Sequence, residues 1–360
     1  MIYIHVPFCK SRCIYCDFYS TTVDRDRNLY VDRLLEEARQ RRRFFGDGNH
    51  AVKTVYVGGG TPSQIPADQL QRLVDGLSEI FDISNATEFT LEANPEDITE
   101  AYASSLPKAI NRVSLGVQSF VDDELTMLHR RHNSSKPKEA IDLLRNEAGI
   151  SNISIDLMYG LPMQTTDSFA YSIDKALSLD TQHISAYCLS VEEGTQMSRL
   201  VSQGVLTPAD DDLCLSMSDL LRTRLKSAGF IQYEISNFAR PGYESQHNSR
   251  YWTGDAYLGL GPGAHSYDGK RHRTFNDTDL RSYLNGVRKE DGETLTDIDI
   301  YNERVMLGLR TLRGIDYENE NRTMQRLIER GLLVRYNDSR VRLTSEGLSL
   351  ADDVIRQLFI

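Results

Sequence analysis

The 360-residue sequence has no apolar run of the ~18 residues that a transmembrane helix needs. It also has no excess of positive charge: 52 acidic residues against 41 basic ones give a net charge of −11, which argues against a nucleic-acid partner. The N-terminus lacks a positively charged start and a small-residue cleavage site, so we expect no signal peptide and a cytoplasmic location. A hydrophobic content of 40% indicates a globular protein.

Cysteine is scarce, but three of the five cysteines lie close together. Cys9, Cys13 and Cys16 have the spacing C-x3-C-x2-C directly after a short apolar stretch, residues 2–8. Thiolates on a compact loop suit an iron–sulfur cluster, and three ligands would leave one iron of a [4Fe–4S] cube open. A structural zinc site is the main alternative, but no distant C-x2-C pair completes it. Three cysteines this close also cannot all pair as disulfides.

The other two cysteines, Cys188 and Cys214, follow apolar residues, and we expect them to be buried thiols. Without a disulfide framework, the cysteine pattern indicates a reducing compartment.

Strands and helices are predicted to alternate along residues 2–228. The predicted strands are 2–8, 52–57, 87–93, 112–117, 152–158 and 183–189, and the helices are 29–45, 67–81, 99–109, 136–147, 166–179 and 208–228. Six such units predict an α/β fold with a parallel sheet, either a partial barrel or an open doubly wound sheet. In both cases the functional edge lies at the carboxyl ends of the strands.

Polar and glycine residues follow these strands. Gly58-Gly59-Gly60-Thr61-Pro62 comes after the second strand, and we expect its backbone amide and carbonyl groups to be free for a ligand. Glu92, Gln118, Arg130 and Asp156 come at or after the next three strands. Each residue alone is equally consistent with a turn or a surface position. Together they predict a binding site.

The cysteine motif and Phe18, an aromatic two residues past the third cysteine, resemble the radical S-adenosylmethionine (SAM) superfamily. The resemblance implies a partial (β/α)6 barrel, a [4Fe–4S] cluster and bound SAM, whose reductive cleavage would produce a 5′-deoxyadenosyl radical. An acidic pair suits ribose hydroxyls, and the planar fork of an arginine suits a carboxylate. The residues that match SAM-binding positions of the family are Tyr3, Phe18, Gly59, Gly60, Thr61, Glu92, Gln118, Arg130 and Asp156.

A second motif, H-N-x-x-Y-W at residues 247–252, is followed by GLGPGAHS at 259–266. Together they resemble the HemN/HemW group of radical SAM proteins, and this resemblance covers nearly the whole chain. It implies haem contact, with a histidine as iron ligand and aromatic rings against the porphyrin. The candidates are His247, Asn248, Tyr251, Trp252 and His265. A packed loop with hydrogen-bonded structural histidines is the alternative.

The last segment, 297–360, predicts a small α+β domain of winged-helix-like order, with helices at 301–312, 322–330 and 345–358 and a hairpin between the last two. We therefore expect three domains: the barrel at 1–228, an extension at 229–296 and the winged-helix-like domain at 297–360. Because the chain is acidic, a lid or substrate-facing role is favoured over DNA binding for the last domain.

Within the group, the resemblance favours a HemW-type haem chaperone, which binds haem and passes it to an acceptor protein. The chain begins eight residues before Cys9, without the N-terminal extension of the oxidase, and has Phe18 where the oxidase has a further cysteine. The alternative is oxygen-independent coproporphyrinogen III oxidase, which makes protoporphyrinogen IX by radical decarboxylation. A radical SAM enzyme with an unrelated substrate is the third possibility. The expected partners are haem or a porphyrinogen, a haem-acceptor protein and an electron donor.

Overall fold

The computed structural model describes residues 1–23, 25–46, 51–318, 321–337 and 339–360. Its centre is a sheet of six parallel strands that lie side by side in chain order. These strands are β1 (Ile2–Val6), β2 (Thr54–Gly59), β3 (Glu88–Ala93), β4 (Arg112–Gln118), β5 (Asn152–Tyr159) and β6 (His183–Cys188). The predicted α/β class and the six strands are confirmed, with shifts of a few residues at the strand ends.

Helices connect the parallel strands, and two more helices follow β6. They are α1 (Arg27–Gln40), α2 (Ala67–Ile80), α3 (Glu100–Ser104), α4 (Asp122–Met127), α5 (Lys136–Asn146), α6 (Thr166–Ser178), α7 (Gln196–Ser202) and α8 (Asp211–Ser227). Helix α1 begins where Asp26 accepts hydrogen bonds from the amides of Asn28 and Leu29. The short helices α4 and α7 were not predicted, and the helix predicted at 99–109 is only five residues long.

The segment after residue 228 extends the same sheet at both edges. On one side, β7 (Ile231–Gln232) and β8 (Asn237–Ala239) add antiparallel to β6, and on the other β9 (Leu258–Leu260) adds parallel to β1. Helix α9 (Gln246–Trp252) lies between these additions in the chain. The 229–296 segment is therefore continuous with the barrel sheet at both edges.

A second sheet and a final domain complete the chain. The second sheet contains β10 (His265–Tyr267), β11 (His272–Asn276) and β12 (Glu290–Thr294), and α10 (Leu280–Leu284) lies between the last two. The C-terminal domain contains α11 (Asp297–Leu309), β13 (Ile315–Asp316), α12 (Arg322–Glu329), β14 (Leu333–Asn337), β15 (Arg340–Leu343), α13 (Ser345–Ser349) and α14 (Ala351–Arg356).

The C-terminal domain has its own hydrophobic core, separate from the core of the barrel. Its winged-helix-like order is as predicted, except that the single helix predicted at 345–358 is divided at Leu350 into α13 and α14. Within the described part of the chain, no helix is long and apolar enough to cross a membrane.

The prediction of two buried thiols is wrong for Cys188 and only partly right for Cys214. Cys188 is exposed because it is the last residue of β6, at the open end of the barrel, and Cys214 on α8 is half-buried. Both sulfurs face Gly160, whose missing Cβ leaves the space they occupy.

Candidate functional site

The predicted polar residues and cysteines line one cavity of about 460 Å³ at the carboxyl ends of the parallel strands. Of the residues predicted for the cluster and SAM, the wall includes Cys9, Cys13, Cys16, Phe18, Gly59, Gly60, Thr61, Glu92, Gln118, Arg130 and Asp156. They converge because parallel strands end at a common edge. The described lining comes entirely from residues 9–192, so the C-terminal domain does not form a lid over this cavity.

Backbone hydrogen bonds join the two ends of the cysteine loop to each other, just after β1. The Cys9 amide donates to the carbonyl of Thr21, and the Thr21 amide donates to the carbonyl of Pro7. Burial raises the pKa of the Cys9 thiol, and it raises the pKa of Cys16 to about 11. These thiols carry protons at neutral pH unless a metal centre replaces the proton, so the donor set suits a cationic, thiophilic group.

The three thiols are not arranged around a single ion. Among the described residues, no three His, Cys, Asp or Glu side chains are close enough to hold one metal ion together. Thiolates that each bind a different iron of a cluster need this wider spacing, so the cysteines fit a cluster better than a mononuclear site.

The glycine segment is crowded, which corrects the prediction of free backbone amides. The Gly59 amide donates to Glu92 (3.0 Å), and the Gly60 amide donates to the Val6 carbonyl (2.7 Å). A Cβ on Gly60 would lie 2.9 Å from the Val6 carbonyl oxygen, and Gly59 has a φ of +115°. These glycines therefore let β2 pack against the backbone that leads into the cysteine loop.

Two carboxyl groups, Glu92 and Asp156, line the same cavity as the cysteine loop. Glu92 accepts from the Tyr56 hydroxyl (2.7 Å), and burial raises its pKa to about 7. Burial also raises the pKa of Asp156, which accepts from the Ser114 hydroxyl (3.1 Å). Glu92 is thus partly protonated near neutral pH, and it can both donate and accept hydrogen bonds to a polar ligand.

Arg130 connects the cysteine loop to strands β3 and β4. Its guanidinium donates to Cys13 Sγ (3.3 Å), Asn94 Oδ1 (2.6 Å) and the Gly116 carbonyl (2.5 Å). Burial alone would lower the pKa of Arg130, but the neighbouring Tyr15, Cys13 and Glu96 raise it. The guanidinium of Arg130, which was predicted to bind a carboxylate, is therefore already hydrogen-bonded to the protein.

Sequence reasoning did not single out Asn94, which lines the cavity and bonds both Arg130 and Thr61. Its position directly after β3 could have identified it from the sequence, because the other predicted site residues were selected by their positions at strand ends. Gln118 lies at the cavity where the regular pairing of β4 with β5 is interrupted. The register between these strands shifts at this point, and Gln118 has a φ of +69°. Phe18 stands at the cavity with 64% of its surface exposed.

Tyr3 is not among the residues that line the cavity, and its predicted contact with SAM stays a prediction. Its side chain lies within the barrel, where its hydroxyl bonds His5 Nδ1 (3.1 Å) and its ring stacks on Tyr56. Tyr3 belongs to the packing beneath the site.

The H-N-x-x-Y-W motif forms α9 at the opposite end of the barrel. Ser245 caps this helix, and Glu88, the first residue of β3, accepts from the amides of Gln246 (2.8 Å) and His247 (2.9 Å). Thr54, the first residue of β2, bonds His247. Since Glu88 and Thr54 mark the amino ends of their strands, the motif lies away from the cysteine cavity.

His247 is closed off from ligands. It is fully buried, with Nδ1 2.9 Å from Thr54 Oγ1 and Nε2 3.3 Å from the Tyr251 hydroxyl. Burial lowers the pKa of His247 to about 3, so the ring is neutral. The geometry contradicts iron ligation by His247 in this conformation and matches the alternative of a structural histidine. His265 is exposed and stacks on Phe275, and Asn248 is half-buried in α9.

Tyr251 and Trp252 line a second cavity, of about 400 Å³. It lies between α9, the sheet that contains β10 and β11, and the C-terminal domain. We call it the α9 cavity.

Comparisons with known proteins agree with both motifs. Residues 3–176 match the Radical SAM superfamily. A Bacillus subtilis protein named "Heme chaperone HemW" is 35% identical over 373 residues, covering 98% of this chain and 97% of that protein. A Mycobacterium tuberculosis protein of the same name is 36% identical over 369 residues, covering 99% and 94%.

The structure of coproporphyrinogen III oxidase (HemN) from Escherichia coli aligns with a TM-score of 0.82 over 99% of this chain and 89% of that one. Its 24% identity establishes the fold alone. The full-length relatives above 30% identity are decisive for the family: the chain belongs to the HemW family of the radical SAM superfamily.

Proposed function

We propose that this protein is a haem chaperone, which holds haem and passes it to an acceptor protein. The observation that carries the proposal is the similarity, along the whole chain, to relatives named for that function. The separation of the α9 cavity from the cysteine cavity supports it. A chaperone needs a place for its cargo, and that place need not touch the cofactor site.

We propose that Cys9, Cys13 and Cys16 hold three irons of a [4Fe–4S] cluster and leave the fourth open to SAM. Together, the cluster and SAM supply one-electron reductive cleavage chemistry. Arg130 keeps the cysteine loop in register through its bond to Cys13, and Thr61 lies 3.3 Å from the Cys9 sulfur. Both contacts favour a thiolate, because a guanidinium and a hydroxyl can donate to sulfur.

For SAM, the half-buried acidic pair is the strongest feature of the wall. We propose that Glu92 and Asp156 accept hydrogen bonds from the ribose hydroxyls, and that Phe18 covers the adenine from the open side of the cavity. Gly59, Gly60, Thr61 and Gln118 would contact the remaining parts of the cofactor.

The proposal implies two protein partners, an electron donor for the cluster and an acceptor for the haem. It also implies a reducing compartment such as the cytoplasm, because the three thiols must stay available for iron. An oxidase acting on coproporphyrinogen III is the second candidate. Its chemistry would require the propionates of the substrate to reach the cysteine cavity.

The test uses the full chain, with its cluster reconstituted anaerobically. Haem is titrated and followed by absorbance, and the loaded protein is then mixed with apomyoglobin as an artificial acceptor. A parallel sample receives SAM, dithionite and coproporphyrinogen III, with chromatography for protoporphyrinogen IX. Cys13→Ala is the cluster-deficient control.

We expect saturable one-to-one haem binding, transfer to apomyoglobin and no protoporphyrinogen. Protoporphyrinogen that forms with the unaltered protein and is absent with Cys13→Ala would identify an oxidase instead. Absence of both haem binding and turnover would reject the haem-related function and leave a radical SAM protein with another substrate.

A further inference from the structure

The α9 cavity has aromatic walls. Trp252 and Tyr251 come from α9, and Tyr257 and Tyr267 come from the chain that follows it. The Tyr251 and Tyr257 rings meet edge to face, with their centres 4.9 Å apart. A volume of about 400 Å³ is within the ordinary range for small-molecule sites. Such walls suit a flat aromatic ligand.

Four arginines and two acidic residues also line the α9 cavity, in a chain whose net charge is −11. The acidic residues are already paired: Glu303 with Arg273 (2.8 Å) and Asp316 with Arg340 (2.9 Å). The positive charges of Arg273 and Arg340 are therefore already neutralised by carboxylates of the protein. The cavity retains two positive charges that no lining carboxylate neutralises.

The two remaining cations are Arg304 and Arg313. The ion pair of Arg304 with Glu318 is long, at 3.6 Å, and largely exposed, so it contributes little in water. The Arg304 guanidinium also lies over the Tyr301 ring, 5.3 Å from its centre, which leaves its charge without a close carboxylate. The Arg313 side chain is exposed and has no ion pair or hydrogen bond with any part of the chain that the structure describes. Two available guanidinium groups at one aromatic cavity match a ligand that carries two carboxylates.

The Trp252 side chain in this wall carries an unpaired donor. The indole Nε1 of Trp252 is shielded from solvent and has no hydrogen-bond acceptor among the described residues. A buried N–H group without an acceptor is costly, and in proteins such groups are normally hydrogen-bonded to another protein group or to an ordered water. Trp252 is thus an aromatic wall of the cavity, and its indole N–H has no acceptor among the described residues.

We propose that the α9 cavity binds a planar tetrapyrrole with two propionates, its ring against Trp252 and its carboxylates toward Arg304 and Arg313 of the C-terminal domain. This inference rests on the proposed haem-chaperone function and specifies where the cargo is held. It also gives the C-terminal domain a role in cargo binding, at the end of the barrel opposite the cysteine cavity. Recognition comes from the ring and the carboxylates, without His247.

The experiment compares the full-length, cluster-reconstituted protein with Arg304→Ala/Arg313→Ala and, separately, with Trp252→Ala. The matched control for the first is Arg281→Ala/Arg330→Ala, which removes two exposed positive charges outside the cavity. The control for the second is Tyr243→Ala, a 40% exposed aromatic elsewhere. Each protein is titrated with haem, iron-free protoporphyrin IX and the dimethyl ester of protoporphyrin IX. Circular dichroism checks that each variant is folded.

We expect both cavity variants to bind haem at least about tenfold more weakly than the unaltered protein, and both controls to bind it normally. The dimethyl ester should bind the unaltered protein about as weakly as the diacid binds Arg304→Ala/Arg313→Ala. That double variant should no longer distinguish ester from acid. Iron-free protoporphyrin IX should bind nearly as well as haem.

Normal haem affinity in both cavity variants would overturn this inference and leave the proposed function intact. Failure of iron-free protoporphyrin IX to bind would also overturn it, because the iron would then carry recognition. If the unaltered protein binds no tetrapyrrole at all, the proposed function itself fails.

Discussion

Glu88→Gln offers a sharp test of how α9 is held. Glu88 is buried, and its carboxylate accepts from the Ser245 hydroxyl (3.3 Å) and the amides of Gln246 (2.8 Å) and His247 (2.9 Å). A negative charge at a helix N-terminus also interacts favourably with the helix dipole. The side chain therefore anchors the H-N-x-x-Y-W helix to the amino end of β3.

Glutamine preserves the size of the side chain and one acceptor oxygen, but it turns an NH₂ group toward donors. The lost hydrogen bonds to a charged group are each worth about 1.5–3 kcal/mol, and the dipole contributes about 0.3–1 kcal/mol. We therefore expect Glu88→Gln to lower the free energy of unfolding by about 2–4 kcal/mol.

The assay is urea unfolding followed by tryptophan fluorescence. Trp252 is the sole tryptophan of the chain and is the last residue of α9, so its emission reports on the element that the substitution loosens. Glu79→Gln, an exposed position on α2, is the control and should stay within about 0.5 kcal/mol of the unaltered protein. An unchanged midpoint and emission in Glu88→Gln would refute the anchoring argument.

Three further predictions concern the two ends of the barrel. Gly60→Ala should destabilise the protein by about 1–3 kcal/mol, because the new Cβ would meet the Val6 carbonyl oxygen at 2.9 Å. The variant should also hold less iron per chain after reconstitution. Full iron content at normal stability would contradict the crowding at Gly60. Arg130→Lys should lower the unfolding midpoint in urea, because a lysine cannot bond Cys13, Asn94 and the Gly116 carbonyl together, and an unchanged midpoint would show that these bonds contribute little. Folding lowers the pKa of His247 from about 6.5 to about 3. Between roughly pH 6.5 and pH 3 this histidine therefore binds a proton in the unfolded chain but not in the folded protein, so the free energy of unfolding falls as the pH falls. His247→Gln should flatten this dependence by up to about 1.4 kcal/mol per pH unit in urea unfolding at pH 7 and pH 5, and an equal slope would contradict the lowered pKa.

The cysteine cavity could be predicted because its information is local in the chain. Most of its residues lie near or beyond the carboxyl end of a strand, and the order of strands in the parallel sheet is the order in the chain. A short spacing such as that of Cys9, Cys13 and Cys16 already confines the thiols to one loop. The winged-helix-like order could be predicted for the same reason.

The position of the second motif could not be predicted in this way. Its place depends on where the chain goes after residue 228, when β8 adds to β6 and β9 adds to β1. No local pattern specifies that return path, so His247 could be read equally as a ligand or as a structural residue. Contacts with Thr54 and Glu88, more than 150 residues earlier in the chain, decided between them.

The sequence by itself determined the α/β class, the cysteine loop and the set of polar residues that meet at the carboxyl ends of the strands, because periodicity and spacing are local properties. Only the tertiary structure decided that His247 is buried with both ring nitrogens hydrogen-bonded. It also decided that Arg304 and Arg313 line an aromatic cavity together with Trp252. Which charges remain available depends on which partners the fold brings within reach, and those partners come from distant parts of the chain.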